Sequence, residues 1–183
     1  MTKERSHYSI AQPLSPEEYE GLIWAVASVS DMFGVVQYCH PRHNSELATR
    51  LLNDLVPYLV YLEQDYQWPG TMSSCPNWHL CFHVTDETIT MILDVTTSLW
   101  DWVNGDFPDD LHFLREDGTT VFGSTWCDEY AWLEVDNEEL ESITQKLPPS
   151  IQVKREEVQE PFLDEESVIA KFRDNAIRDE PNA

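Results

Sequence analysis

The spacing of apolar residues changes along this chain, and that change restricts the fold more than any other feature. Up to residue 104 the apolar side chains recur mainly at intervals of three and four, as on helices that bury one stripe. Between residues 78 and 84, and again from 111 to 135, they alternate, as on strands that bury one face. The pattern predicts an α+β fold. Helices at 15–33, 45–65 and 86–104 should pack on a small, mostly antiparallel sheet ending in a three-stranded meander.

Local signals support each element. Ser15-Pro16-Glu17-Glu18 supplies a capping serine, a proline in the first turn and a glutamate three residues after the cap. Tyr19, Leu22, Ile23, Val26 and Phe33 keep a helical spacing, and Gly34 is expected to stop that helix, with a short strand at Val35–Cys39. The second helix carries Leu47, Leu51, Leu52, Leu55, Leu59 and Leu62, interrupted by Pro57, which should kink or split it. Trp68-Pro69-Gly70 is a turn. In the third helix Ile89, Ile92, Leu93, Thr96, Leu99, Trp100 and Val103 form the stripe, leaving Trp102 off it. The meander is expected at Leu111–Arg115, Thr120–Trp126 and Tyr130–Val135, with Asp117-Gly118 in the first hairpin turn. A short helix, Asn137–Gln145, follows.

Residues 1–13 read as a loose lead-in. Pro148-Pro149 marks the expected domain edge, giving one α+β domain over 1–147. Residues 148–183, with nine acids and five bases, are expected to form an acidic, mobile tail with one short amphipathic helix at Asp164–Asn175.

Thirty-four acids against eleven Lys plus Arg give a formal net charge of −23. Such a chain repels nucleic acid and anionic membranes and attracts basic proteins, whose encounter it accelerates. No apolar run approaches the ~20 residues that span a bilayer. The charged, polar start reads against a secretory signal, and the four cysteines are expected as thiols, so the cytoplasm is the expected compartment.

Motifs for catalysis are sparse. No phosphate-binding or dinucleotide fingerprint and no nucleophile elbow occurs, and pairings such as Cys39 with a histidine, or Ser124 with His112, match no signature. Asp109-Asp110 and Asp128-Glu129 read as solvated turn residues rather than acid–base pairs. No enzymatic activity and no cofactor are therefore expected. The one set with metal-ligand chemistry is Cys75, His79, Cys81 and His83, of which the last three share one strand face. Residues two apart on a strand have Cβ atoms ~6–7 Å apart, which suits two ligands of one ion and strains a third. Cys39-His40 with His43 is a second, weaker cluster.

The segment 101–147 concentrates thirteen acids against two bases around Trp102, Trp126, Tyr130 and Trp132. Indoles anchor interfaces and surrounding acids steer a basic partner. The expected partner-binding residues are Asp101, Trp102, Asp106, Asp109, Asp110, Asp117, Trp126, Asp128, Glu129 and Glu134.

Between Thr85 and Leu140, the run Ser98-Leu99-Trp100-Asp101-Trp102, then Pro108-Asp109-Asp110-Leu111-His112-Phe113-Leu114-Arg115 with Asp117-Gly118, then Trp126 to Leu133, resembles small uncharacterised bacterial proteins similar to the immunity proteins of polymorphic-toxin systems. The resemblance implies an α+β fold without established catalytic residues. With the charge it leads to an expected function: an immunity-type inhibitor that occludes a basic partner, such as a toxin, sterically and electrostatically. The alternatives are a DNA-mimic protein of anti-restriction or anti-defence type, and a zinc-dependent enzyme or zinc-stabilised module.

Overall fold

The structure is a computed structural model that describes residues 4–11, 13–38, 45–103 and 107–156. Its strands are β1 (Ser6–Ile10), β2 (Met32–Gln37), β3 (Leu59–Trp68), β4 (Thr71–His83), β5 (Asp109–Leu114), β6 (Thr120–Thr125), β7 (Tyr130–Val135) and β8 (Val153–Arg155). The helices are α1 (Pro16–Ala27), α2 (Glu46–Leu55), α3 (Asp86–Val95) and α4 (Asn137–Lys146). The eight strands form one sheet in the order β3-β4-β2-β5-β6-β7-β1-β8, every described ladder antiparallel. The expected α+β class and the meander of β5, β6 and β7 are therefore present.

One sheet face is buried under the helices. Phe33, Val35, Phe82, Leu111, Phe113, Leu133 and Val135 face Leu22, Ile23 and Val26 of α1, Leu51 and Leu55 of α2, Ile89 and Ile92 of α3 and Ile143 of α4. The Phe33 ring lies 5.4 Å from Phe82 and 6.0 Å from Phe113 across three neighbouring strands. Burial of these side chains gives the fold its main driving force. The helix starts are set locally: Ser15 with Glu18 and Asp136 with Glu139 form reciprocal capping boxes.

Several expected boundaries move. Helix one ends at Ala27 rather than residue 33, and Gly34 lies in the middle of β2 rather than at a helix stop. Helix two ends at Leu55. Pro57 sits in a single 3₁₀ turn, and the chain then runs on as strand, so residues 59–65 are β and not helix. The strand expected at 78–84 starts earlier, at Thr71, and forms a long hairpin with β3. Helix three stops at Val95. Thr96 is extended (φ −147°, ψ 153°), and its hydroxyl donates to the Asp101 carboxylate while accepting from the Ser98 amide. A hydroxyl that meets nearby polar groups in this way competes with helix continuation.

The chain ends of the domain also differ from expectation. The lead-in contains β1, which pairs with β7, and the body continues past Pro148-Pro149: β8 pairs with β1 and forms the outer strand. The 164–175 helix lies outside the described residues. Among those described, no helix is long and apolar enough to cross a membrane.

Candidate functional site

Two features of the second sheet face bear on function: a buried cluster of histidine and thiol groups, and the long hairpin that covers it.

His79 and Cys81 project from the same face of β4, as their spacing predicts. The third member is His112 on β5, and the strand between them is β2, where Gly34 is in register with both Cys81 and His112. The glycine is required by space. A Cβ at Gly34 would lie 2.2 Å from His112 Nε2 and 3.0 Å from Cys81 Sγ. A glycine within a strand commonly marks such a close approach. His79 Nε2 and His112 Nε2 are 2.6 Å apart, and Cys81 Sγ is 3.6 Å from His79 Nε2. All three residues are buried.

The neighbours fix the tautomers. His112 Nδ1 lies 2.7 Å from the Asp110 carbonyl, so it carries a proton and donates, which leaves a lone pair on Nε2. His79 Nε2–H then donates to it. Asp110 holds its carbonyl there through a left-handed backbone (φ 53°), uncommon for a residue other than glycine but tolerated by Asp. Tyr61 on β3 closes the cluster. Its ring meets His79 edge-on at 5.7 Å and packs against the cluster of Met32, Cys81 and Leu114. Burial drives the His112 pKa down to about 3, with His79 adding to the effect, and lowers that of His79; it also pushes the Cys81 thiol up to about 12. At neutral pH the imidazoles and the thiol are therefore uncharged.

The β3–β4 hairpin curls over this face. At its turn Gly70 adopts φ 77°, and a Cβ there would meet Trp132 Cη2 at 2.3 Å, so the tip rests on β7. The Trp68 indole N–H donates to Asp110 Oδ2 (2.8 Å), as does the Thr71 hydroxyl (3.3 Å). Beside the tip, Pro69 and Gly70 share a hollow of about 330 Å³ with His7, Tyr130, Trp132 and Asp128. The outer face of the same hairpin is bare. Leu62 and Met72 are 50% and 63% exposed, and Val60, Tyr66 and Trp78 are also exposed. Residues 59–83 hold two acids, Glu63 and Asp65, and no Lys or Arg. Both acids pair with residues of the covered face, His79 and Asn77, so the ladder places no charge beside Leu62 or Trp78.

The expected partner-binding residues divide between surface and interior: the turns that carry Asp101 and Trp126–Asp128 are neighbours and exposed, whereas Trp102, Asp109 and Asp110 are buried. Trp102 is 1% exposed; its indole N–H donates to the Tyr19 hydroxyl (3.1 Å) and its ring packs 5.7 Å from Phe107. The helical phase that put it outside is lost where α3 breaks at Thr96. Asp109 and Asp110 are buried and not at the surface: Asp109 Oδ2 accepts from the Trp126 indole (3.2 Å), while Asp110 anchors the hairpin tip and has its pKa raised by burial. Asp101, Asp117, Trp126, Asp128 and Glu129 are exposed and Glu134 half-buried. Asp117 is occupied locally, accepting from the Thr119 amide and hydroxyl. Asp106 and the Cys39, His40 and His43 cluster lie outside the described residues.

Of the metal candidates, His79 and Cys81 converge, whereas His83 is exposed at the end of β4 and Cys75 lies farther out on the hairpin, beside Ser73. His112 is 31 residues from Cys81, beyond any ligand-spacing rule. No family model, no curated protein and no solved structure matches the chain.

Proposed function

We propose that this chain is a protein-binding domain, an acidic immunity-type inhibitor that blocks a basic partner such as a toxin by occlusion, without chemistry. The observation that carries the proposal is the number of exposed apolar side chains on the β3–β4 hairpin, Val60, Leu62, Tyr66, Met72 and Trp78, in a segment without Lys or Arg. Contiguous exposed apolar surface on a soluble domain marks an interaction site. Aromatic residues and Met with few charges are the composition of an interface centre. β3 is an edge strand, so its outer backbone groups can pair with an added strand as well. The net charge of −23 supplies the attraction for a basic partner and raises the association rate.

On this proposal the docking centre is the hairpin, and the exposed acids Asp128 and Glu129 near its tip act as a steering rim. Co-purification from the native host across a salt series, with Leu62→Lys/Met72→Lys beside wild type, tests it. The expected result is a basic partner retained at low salt by wild type and lost by the double variant. A partner held equally by both proteins would contradict the proposal.

A further inference from the structure

We propose that His79, Cys81 and His112 form a zinc site, three ligands drawn from β4 and β5 over the gap left by Gly34. This goes beyond the partner-binding proposal and does not depend on it.

The donor set suits zinc. Imidazole nitrogen and thiolate sulfur bind it at about 2.0–2.1 Å and 2.3 Å, which puts tetrahedral N–N and N–S ligand edges near 3.3 Å and 3.6 Å. The Cys81 Sγ–His79 Nε2 separation of 3.6 Å already equals the second edge. The two Nε2 atoms at 2.6 Å need to part by ~0.7 Å to reach the first, and the three donor atoms, which lie within 4.8 Å of one another, need the Cys81–His112 edge to close toward the second. His112 has the support that ligating histidines have: its far nitrogen donates to a backbone carbonyl, which fixes the ring and leaves the near lone pair on Nε2. The missing Cβ of Gly34 lets the His112 ring and the Cys81 sulfur pack closely against β2 and so converge. Glu63 and Asp65 on β3 add negative charge beside the cluster, acting on Cys81 and His79 respectively.

Binding would break the Cys81 S–H bond and form a Zn–S bond, with the thiol proton passing to solvent. His79 would shift its proton from Nε2 to Nδ1 and remain neutral. Both imidazoles then ligate through Nε2, and the thiolate removes one of the two positive charges of the ion.

The alternative is a buried histidine pair held by one N–H···N hydrogen bond. Metal analysis of the full chain purified without chelator separates the two, followed by cobalt(II) titration of the metal-stripped protein. The expected result is about one zinc per chain, together with thiolate-to-cobalt charge transfer and the strong visible bands of tetrahedral cobalt. Cys81→Ser and His112→Gln should lose both signals, while His83→Ala and Cys75→Ala keep them, with far-ultraviolet circular dichroism reporting folding. Less than ~0.2 zinc per chain with no cobalt spectrum from folded wild type would overturn the proposal. So would retention of the thiolate band in folded Cys81→Ser. If the ligand variants do not fold, the wild-type zinc content and cobalt spectrum decide alone.

Discussion

The two ends of β4 lie in one strand yet meet different surroundings. At its C-terminal end, Phe82 packs beneath the helices while Cys81 and His79 are buried on the opposite face. At its N-terminal end the inner face remains covered, with Asn77 buried, but Met72 and Trp78 on the outer face stand in water. The helices cover the sheet body and leave the hairpin arm uncovered. The same strand chemistry thus contributes to stability in the body, and in the arm it presents apolar surface held in place at the tip. The arm is no loose flap, because Trp68 and Thr71 fasten it to Asp110 and Gly70 rests on Trp132.

Substitutions should separate the two regions, and the largest effect belongs to the body. Phe33→Ala removes the ring that joins Phe82 to Phe113 and should lower unfolding free energy by ~3–5 kcal/mol in urea titration. A loss below ~1 kcal/mol would mean that the helix-covered face is not the stabilising one. Next comes the fastening of arm to body. Asp110→Ala strips the acceptor from the Trp68 indole and should cost ~1–3 kcal/mol. It should also speed amide exchange across residues 66–73, whereas unchanged exchange there would show that the tip is held by other contacts.

A smaller effect is expected at Arg115. Its guanidinium grips Glu139 through Nε–Oε1 and Nη2–Oε2 contacts of 2.7 Å each and donates to the Glu134 carbonyl, tying β5 to β7 and α4. That hydrogen bonding to Arg115 holds the Glu139 carboxyl below its ordinary range. A carboxylate with a depressed folded-state pKa adds stability that is complete above its unfolded pKa, about 4.3, and is lost as pH falls through the folded value. Glu139→Gln should therefore cost on the order of 1 kcal/mol at pH 7, and its difference from wild type should shrink below pH ~4. A pH-independent difference would assign the loss to packing. The smallest stability effect belongs to the arm. Leu62→Lys should change unfolding free energy by no more than ~0.5 kcal/mol, yet remove partner binding. A loss like that of Phe33→Ala would make the arm part of the core.

The sequence is legible where a local signal meets no tertiary competition. The capping box at Ser15, the turn at Trp68-Pro69-Gly70, the Asp117-Gly118 hairpin and the closing helix after Asp136 all lie where the residues alone place them. Helical spacing misleads beyond Pro57, since Leu59 and Leu62 continue a stripe of period three to four by coincidence and belong to β3. It misleads again beyond Thr96, which is why Trp102 is core. Half of the histidine and thiol cluster is visible as His79-x-Cys81. The other half needs the sheet order, because His112 reaches it across β2. The available signals are a histidine alternating with Leu111 and Phe113 after the Asp109-Asp110 pair, and a glycine within Met32–Gln37, neither of which names its neighbour.

On the proposed function, a partner docks on the bare face of the arm. Hydrogen–deuterium exchange of the chain with and without its co-purified partner tests this most directly. New protection should fall on residues 59–66 and 71–78 and leave 116–119 unchanged. Protection confined to 116–129, with the hairpin exchanging as in the free protein, would contradict it.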